Sequence, residues 1–89
     1  MTQRTLKIVN EKGLHARASA KLVEVVEGFD AQAEVSRDGL SAAGDSIMGL
    51  LMLAASRGTT IDVQTSGPDA EALADAIEAL VADKFGEDY

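Results

Sequence analysis

Residues 13–20 read Gly13-Leu14-His15-Ala16-Arg17-Ala18-Ser19-Ala20, and the hydrophobic period of the chain changes across them. Upstream, Arg4-Thr5-Leu6-Lys7-Ile8-Val9 alternates polar with apolar, the pattern of a strand with Leu6 and Ile8 on one face. Asn10 to Gly13 is a loop by composition. Downstream, Ala18, Leu22, Val25 or Val26, and Phe29 recur at helical spacing, with Arg17, Lys21 and Glu24 opposite. That spacing predicts a helix from Ala16 to Glu27 closed by Gly28. His15, the only histidine in 89 residues, opens this helix. The first amides of a helix have no intrahelical partner and face the positive end of its dipole, so the position suits an anion.

The helix start also breaks local rules. Ser, Thr, Asp or Asn caps better than histidine, and cations in the first turns oppose the dipole by about 0.3–1 kcal/mol each. Rules broken together at one place point to function. Arg17 and Lys21, spaced i, i+4, lie on one face of the helix. An imidazole, free amides and two cations converging on one point imply chemistry on a phosphate. A neutral imidazole nitrogen is a competent nucleophile toward phosphorus, and the resulting phosphohistidine can pass its group onward. The amides and Arg17 are suited to the charge on the transferring oxygens.

The rest of the chain extends the pattern. Ala31 to Ser36 alternates as a second strand, with Ala31, Ala33 and Val35 inward. Asp38-Gly39 has the chemistry of a type I′ turn, which leads into a short edge strand, Leu40 to Ala43. Asp45 or Ser46 caps a short helix from Ile47 to about Leu53, ended by Ser56-Arg57-Gly58. Thr59 to Thr65 is a fourth strand with Ile61 and Val63 inward. Ser66-Gly67-Pro68-Asp69 opens the last helix, with Pro68 in its first turn and a stripe of Leu73, Ile77, Leu80, Val81 and Lys84. Phe85 follows as a core residue, ahead of a polar tail, Gly86 to Tyr89. The order β-α-β-β-α-β-α predicts an α+β two-layer sandwich in which three helices cover one face of a four-stranded sheet. Residues 1–89 are expected to form a single domain.

Composition narrows the function classes. There are no cysteines, so disulfides and thiolate metal sites are excluded. The longest apolar run, Ile47 to Ala55, is too short to span a bilayer, and no signal-peptide layout appears; a cytoplasmic protein without membrane insertion is expected. The formal charge of −7 lies wholly in residues 45–89, because residues 1–44 balance six Lys/Arg against six Asp/Glu. That surplus, with only three aromatics (Phe29, Phe85, Tyr89), disfavours nucleic acid as a partner. A metal site at His15 lacks ligands nearby in sequence, and no carboxylate close in sequence pairs with it for acid–base work. Ile47-Met48-Gly49-Leu50-Leu51-Met52-Leu53 is apolar all round, so a helix there exposes a strip, expected at Ile47, Met48 and Leu51, that suits a partner protein.

The motifs GLHARASA at 13–20 and DSIMGLLMLAA at 45–55, with the order and length of the elements, resemble the HPr family of histidine-containing phosphocarriers. These serve the bacterial phosphoenolpyruvate-dependent phosphotransferase system. The resemblance implies an open-faced sandwich with an antiparallel sheet in the order 1-4-2-3, phosphate carried on Nδ1 of His15, and assistance from Arg17. It implies enzyme I as donor, an EIIA-type domain as acceptor, and partner contacts involving Ala16, Ala20, Lys21, Ile47, Met48 and Leu51. No cofactor is implied, and a monomer is expected. Ser46 matches the serine modified by HPr kinase/phosphorylase in many members. Ala18 stands where many members have proline, which implies a slightly less rigid helix start. The wording of 46–56 and the acidic C-terminus resemble alphaproteobacterial versions, many of which serve nitrogen-related regulation rather than sugar uptake. The rival reading is a regulatory interaction module acting through the apolar strip.

Overall fold

Alternating side chains build the sheet from β1 (Thr2–Lys7), β2 (Gln32–Arg37), β3 (Leu40–Ala43) and β4 (Thr60–Ser66). The computed structural model describes residues 1–89. The strands lie in the order β1-β4-β2-β3, antiparallel throughout. The central strand β4 brings Ile61 opposite Leu6 on one side and Val63 opposite Val35 on the other. All four are buried, while Asp62 and Gln64 between them are exposed. Asp38 and Gly39, at φ 51° and 82°, form the turn between β2 and β3. Both central positions require φ > 0, which Asp tolerates and Gly adopts freely.

Three helices, α1 (Ala16–Glu27), α2 (Ile47–Met52) and α3 (Ala70–Ala82), complete the fold. Ala18, Leu22 and Val26 of α1, Leu50 of α2, and Leu73, Ile77 and Val81 of α3 join the inward strand residues in one apolar cluster. The Ser46 hydroxyl caps α2 by accepting the Gly49 N–H at 3.1 Å. At the other end Arg37, reaching from β2, donates to the Leu53 carbonyl at 3.0 Å. A cation there complements the negative end of the helix. Across β1, Arg4 bonds Asp75 and Glu78 of α3 at 2.9 and 2.5 Å, so part of the acidic surplus pins helix to sheet. No helix is long and apolar enough to cross a membrane.

Several expectations shift. The α2 helix ends at Met52, within a residue of the expected Leu53, and Ala54 then enters the left-handed region at φ 51°. Pro68 lies in the turn before Asp69, not in the first turn of α3. Asp69 caps no amide of its own helix; its carboxylate accepts the Asp30 N–H at 2.9 Å and ties the α1–β2 connection to the start of α3. Lys84 falls off the α3 stripe, because Lys84 and Phe85 are both left-handed, at φ 56° and 55°. That turn drives the Phe85 ring into the core, where it is fully buried. Phe85→Ala is therefore expected to cost about 3–5 kcal/mol of stability, read as a lowered midpoint in urea unfolding.

Candidate functional site

Gly13 decides where His15 stands. Its φ of 66° is left-handed, and a Cβ added there would lie 2.4 Å from the Ala55 carbonyl oxygen. No other residue fits so close a backbone approach. The next amide, Leu14 N–H, donates to the same carbonyl at 2.9 Å, which docks the loop before α1 on the segment after α2. On its other side the Gly13 carbonyl accepts from Asn10 Nδ2 at 2.8 Å. The loop is thus gripped from both sides, and His15 follows it with extended backbone at φ −80°, ψ −174°.

His15 is the N-cap of α1. Its Nδ1 accepts the Arg17 N–H at 3.3 Å, so the histidine supplies a cap that the residue-type preference did not anticipate. The first intrahelical acceptor is the His15 carbonyl, bonded by Ser19 N–H at 2.8 Å, and the amides of Ala16 and Ala18 have no acceptor in the chain. Nδ1 accordingly stands among helix N-terminal donors, the arrangement that favours anions.

The other ring nitrogen is taken. Nε2 lies 2.5 Å from Oε2 of Glu87, and Asn10 Nδ2 donates to Oε1 of the same carboxylate at 2.9 Å. The Glu87 side chain is only 6% exposed against 26% for His15, so the carboxylate is the covered partner and the imidazole the open one. An ionised carboxylate accepts only, so the hydrogen on this contact belongs to Nε2 and the lone pair to Nδ1. The Asn10 hydrogen bond, ahead of that from His15 and the nearby charges of His15 and Lys12, holds the Glu87 carboxyl below the usual carboxylate range. Loss of solvent works the other way and is outweighed.

No carboxylate close in sequence is expected to pair with His15, and the partner that does is 72 residues away, in what reads as a polar tail. Two other tail residues, Tyr89 and Gly86, lie against lysines. Lys12 Nζ stands 5.5 Å from the centre of the Tyr89 ring. Lys21, half-buried, brings its Nζ to within 2.7 Å of where a Gly86 Cβ would be, so it leans on the tail. Arg17 is exposed and forms no ion pair, Ala16 is exposed, Ala20 is half-buried, and Ala18 is fully buried. On α2, Ile47 and Met48 are exposed as expected, but Leu51 is half-buried and Met52 takes the exposed place at 75%. Hollows lined by β2 and β4 residues such as Glu34 and Gln64, or by Phe29 and Pro68, include none of these groups.

Residues 2–83 match the family described as the PTS HPr component phosphorylation site. The chain belongs to the HPr family. It is 48% identical over 87 residues to the phosphocarrier protein HPr of Cupriavidus necator, with 98% of each chain covered. It is 39% identical over 87 residues to the phosphocarrier protein NPr of Escherichia coli, with 97% of each covered. A crystal structure of HPr-C-His from Thermoanaerobacter tengcongensis superimposes with a TM-score of 0.94 at 35% identity, covering both chains completely. HPr of Bacillus anthracis superimposes with a TM-score of 0.86 at 34% identity, over 90% of this chain and 95% of that one. The expected family, the β-α-β-β-α-β-α topology and the strand order 1-4-2-3 are all found.

The lowered carboxyl of Glu87 has a definite pH signature. A group depressed on folding stabilises above its unfolded pKa and loses that contribution as pH falls through its folded value. The stability difference between wild type and Glu87→Gln is therefore expected to be present at pH 7 and to vanish at acid pH, below the usual carboxylate range. Urea unfolding of both proteins from pH 7 to pH 3 checks this.

Proposed function

We propose that the chain, acting as one domain over residues 1–89, carries a phosphoryl group on Nδ1 of His15 within a phosphotransferase relay. The observation that carries this reading is the division of labour on one imidazole. Nε2 is occupied by Glu87, while Nδ1 bears the lone pair and accepts the Arg17 N–H at the start of α1, where the amides of Ala16 and Ala18 are without an acceptor. As Nδ1 attacks phosphorus, those amides donate hydrogen bonds to the phosphoryl oxygens in place of the weak cap bond, with no rebuilding of the helix. Arg17, unpaired in the resting protein, swings over the same oxygens. The ring is partly open to solvent, which fits transfer between proteins better than action on a buried small molecule. The chain is in this reading a cytoplasmic covalent carrier, with no small-molecule substrate of its own.

Membership of the HPr and NPr phosphocarrier family supports enzyme I as the donor and an EIIA-type domain as the acceptor. The exposed Ile47, Met48 and Met52 beside the site, with Ala16 and Ala20 on α1, are suited to dock such partners in turn, Leu51 and Lys21 lying at the margin. This patch serves transfer, so a separate interaction module is not needed to account for it. Phosphate on Ser46 would add about two negative charges next to Ile47 and Met48 while remaining compatible with the N-terminus of α2, and so would block docking without unfolding the helix.

Incubation with phosphoenolpyruvate and enzyme I, followed by intact-mass measurement, tests the reading. Wild type is expected to gain one acid-labile, base-stable phosphate and His15→Ala none. No gain on wild type, with an enzyme I active on another carrier, would overturn it.

A further inference from the structure

The C-terminal residues are built into the His15 site in a way that the transfer reaction can use. Three consecutive residues, Lys84, Phe85 and Gly86, are left-handed, at φ 56°, 55° and 77°. Two of them are not glycine, and L side chains keep that backbone conformation only where the surroundings enforce it. Here the fully buried Phe85 ring enforces it, and the reversal sends Glu87 back across the start of α1.

What Glu87 meets there is specific. Its two carboxylate oxygens are divided between Asn10 Nδ2 at 2.9 Å and His15 Nε2 at 2.5 Å. Asn10 is fully buried, and its amide nitrogen spends both hydrogens on this site, one on Glu87 and one on the Gly13 carbonyl at 2.8 Å. The Asn10 amide oxygen is left without a partner, so the side chain is not placed for its own full satisfaction. It spans the loop that sets His15 and the carboxylate that orients its ring. A carboxylate that is 94% covered and bonded only to an imidazole and an amide is costly unless those bonds are kept.

We propose that Glu87 is the positioning residue of His15, holding the ring with Nδ1 turned into the α1 amides and offsetting the positive charge that the ring gains on phosphorylation, with Asn10 acting through it. The proposal rests on His15 as the phosphoryl acceptor. In the step, the Nδ1 lone pair forms the N–P bond while the bond from phosphorus to the donor breaks, and its electron pair leaves with the donor. The Nε2 proton stays where it is. The ring therefore passes from neutral to cationic, with the carboxylate against Nε2 on the edge away from the incoming group. On delivery the acceptor's nucleophile bonds phosphorus, the N–P electron pair returns to Nδ1, and the ring is neutral again. Carboxylates that orient a metal-ligating histidine through its second nitrogen matter by about 10–100-fold, and the same control of ring orientation is at work here.

Single-turnover phosphorylation of the full chain by phosphoramidate, a small donor that needs no docking surface, separates positioning from partner binding. Glu87→Gln is expected to slow transfer roughly tenfold, and to lower kcat with enzyme I while leaving KM unchanged. Asn10→Ala is expected to do the same, and the double variant to be no slower than the slower single, because both act through one contact. In proton spectra at neutral pH the His15 Nε2–H is expected to be protected from exchange in wild type and exchanged away in Glu87→Gln. Equal rates for wild type and Glu87→Gln, or fully additive losses, would overturn the proposal while leaving His15 as acceptor. Failure of wild type itself to take phosphate from either donor would remove the carrier reading and this inference with it.

Discussion

The contact of Gly13 with Ala55 is the constraint on which the site depends. Two backbone segments approach so closely that a single methyl group would occupy the space of the Ala55 carbonyl oxygen. The Leu14 N–H bond to that oxygen, at 2.9 Å, then locks the register. Ala54 meets the contact from its side by adopting φ 51°, which ends α2 and turns Ala55 toward the loop. Through this one junction the start of α1 and the exposed side of α2 keep a fixed relation. On the proposed reading, the residue that accepts phosphate and the surface that docks its partners are thereby held together.

Chemistry at His15 follows from which nitrogen is left free. An imidazole at a helix N-terminus has two edges, and here each has a different occupant. The amide edge offers donors to an anion, and the carboxylate edge offers an acceptor for the remaining proton. Such a ring can bond phosphorus without first losing or gaining a proton elsewhere. The openness of the site is equally part of its design, since a carrier must present the same atom to a donor and then to an acceptor. Stability for so exposed a centre comes from beneath it, through Asn10, the buried Phe85 and the apolar cluster shared by α1 and α3.

The legible parts of the fold are those written in local chemistry. Alternation marks the strands, Asp38-Gly39 marks the hairpin, and helical spacing between Ala18 and Val26 marks α1 with its bounds. His15 stands out because it is alone and follows a glycine. Glu87 was illegible for the opposite reason: its partner is 72 residues away, and nothing around Gly86 to Tyr89 distinguishes a tethered acid from a solvated one. In α2 the apolar residues run all round the helix, so period carries no phase, and Met52 rather than Leu51 proves to be the more exposed. The left-handed Ala54 has no sequence signature, because alanine does not seek that conformation. The two arginines that tie elements together, Arg4 and Arg37, find partners set only by the packing of helix on sheet.

The central claim is that Nδ1, not Nε2, of His15 bonds phosphorus, and the direct test is nitrogen NMR of the phosphorylated chain labelled with nitrogen-15. Long-range proton–nitrogen correlation assigns the two ring nitrogens, and coupling to phosphorus-31 marks the one that carries the group. Coupling at Nδ1, with Nε2 still protonated, is the predicted result. Coupling at Nε2 would mean that Glu87 gives way during transfer, and would contradict the account of the site.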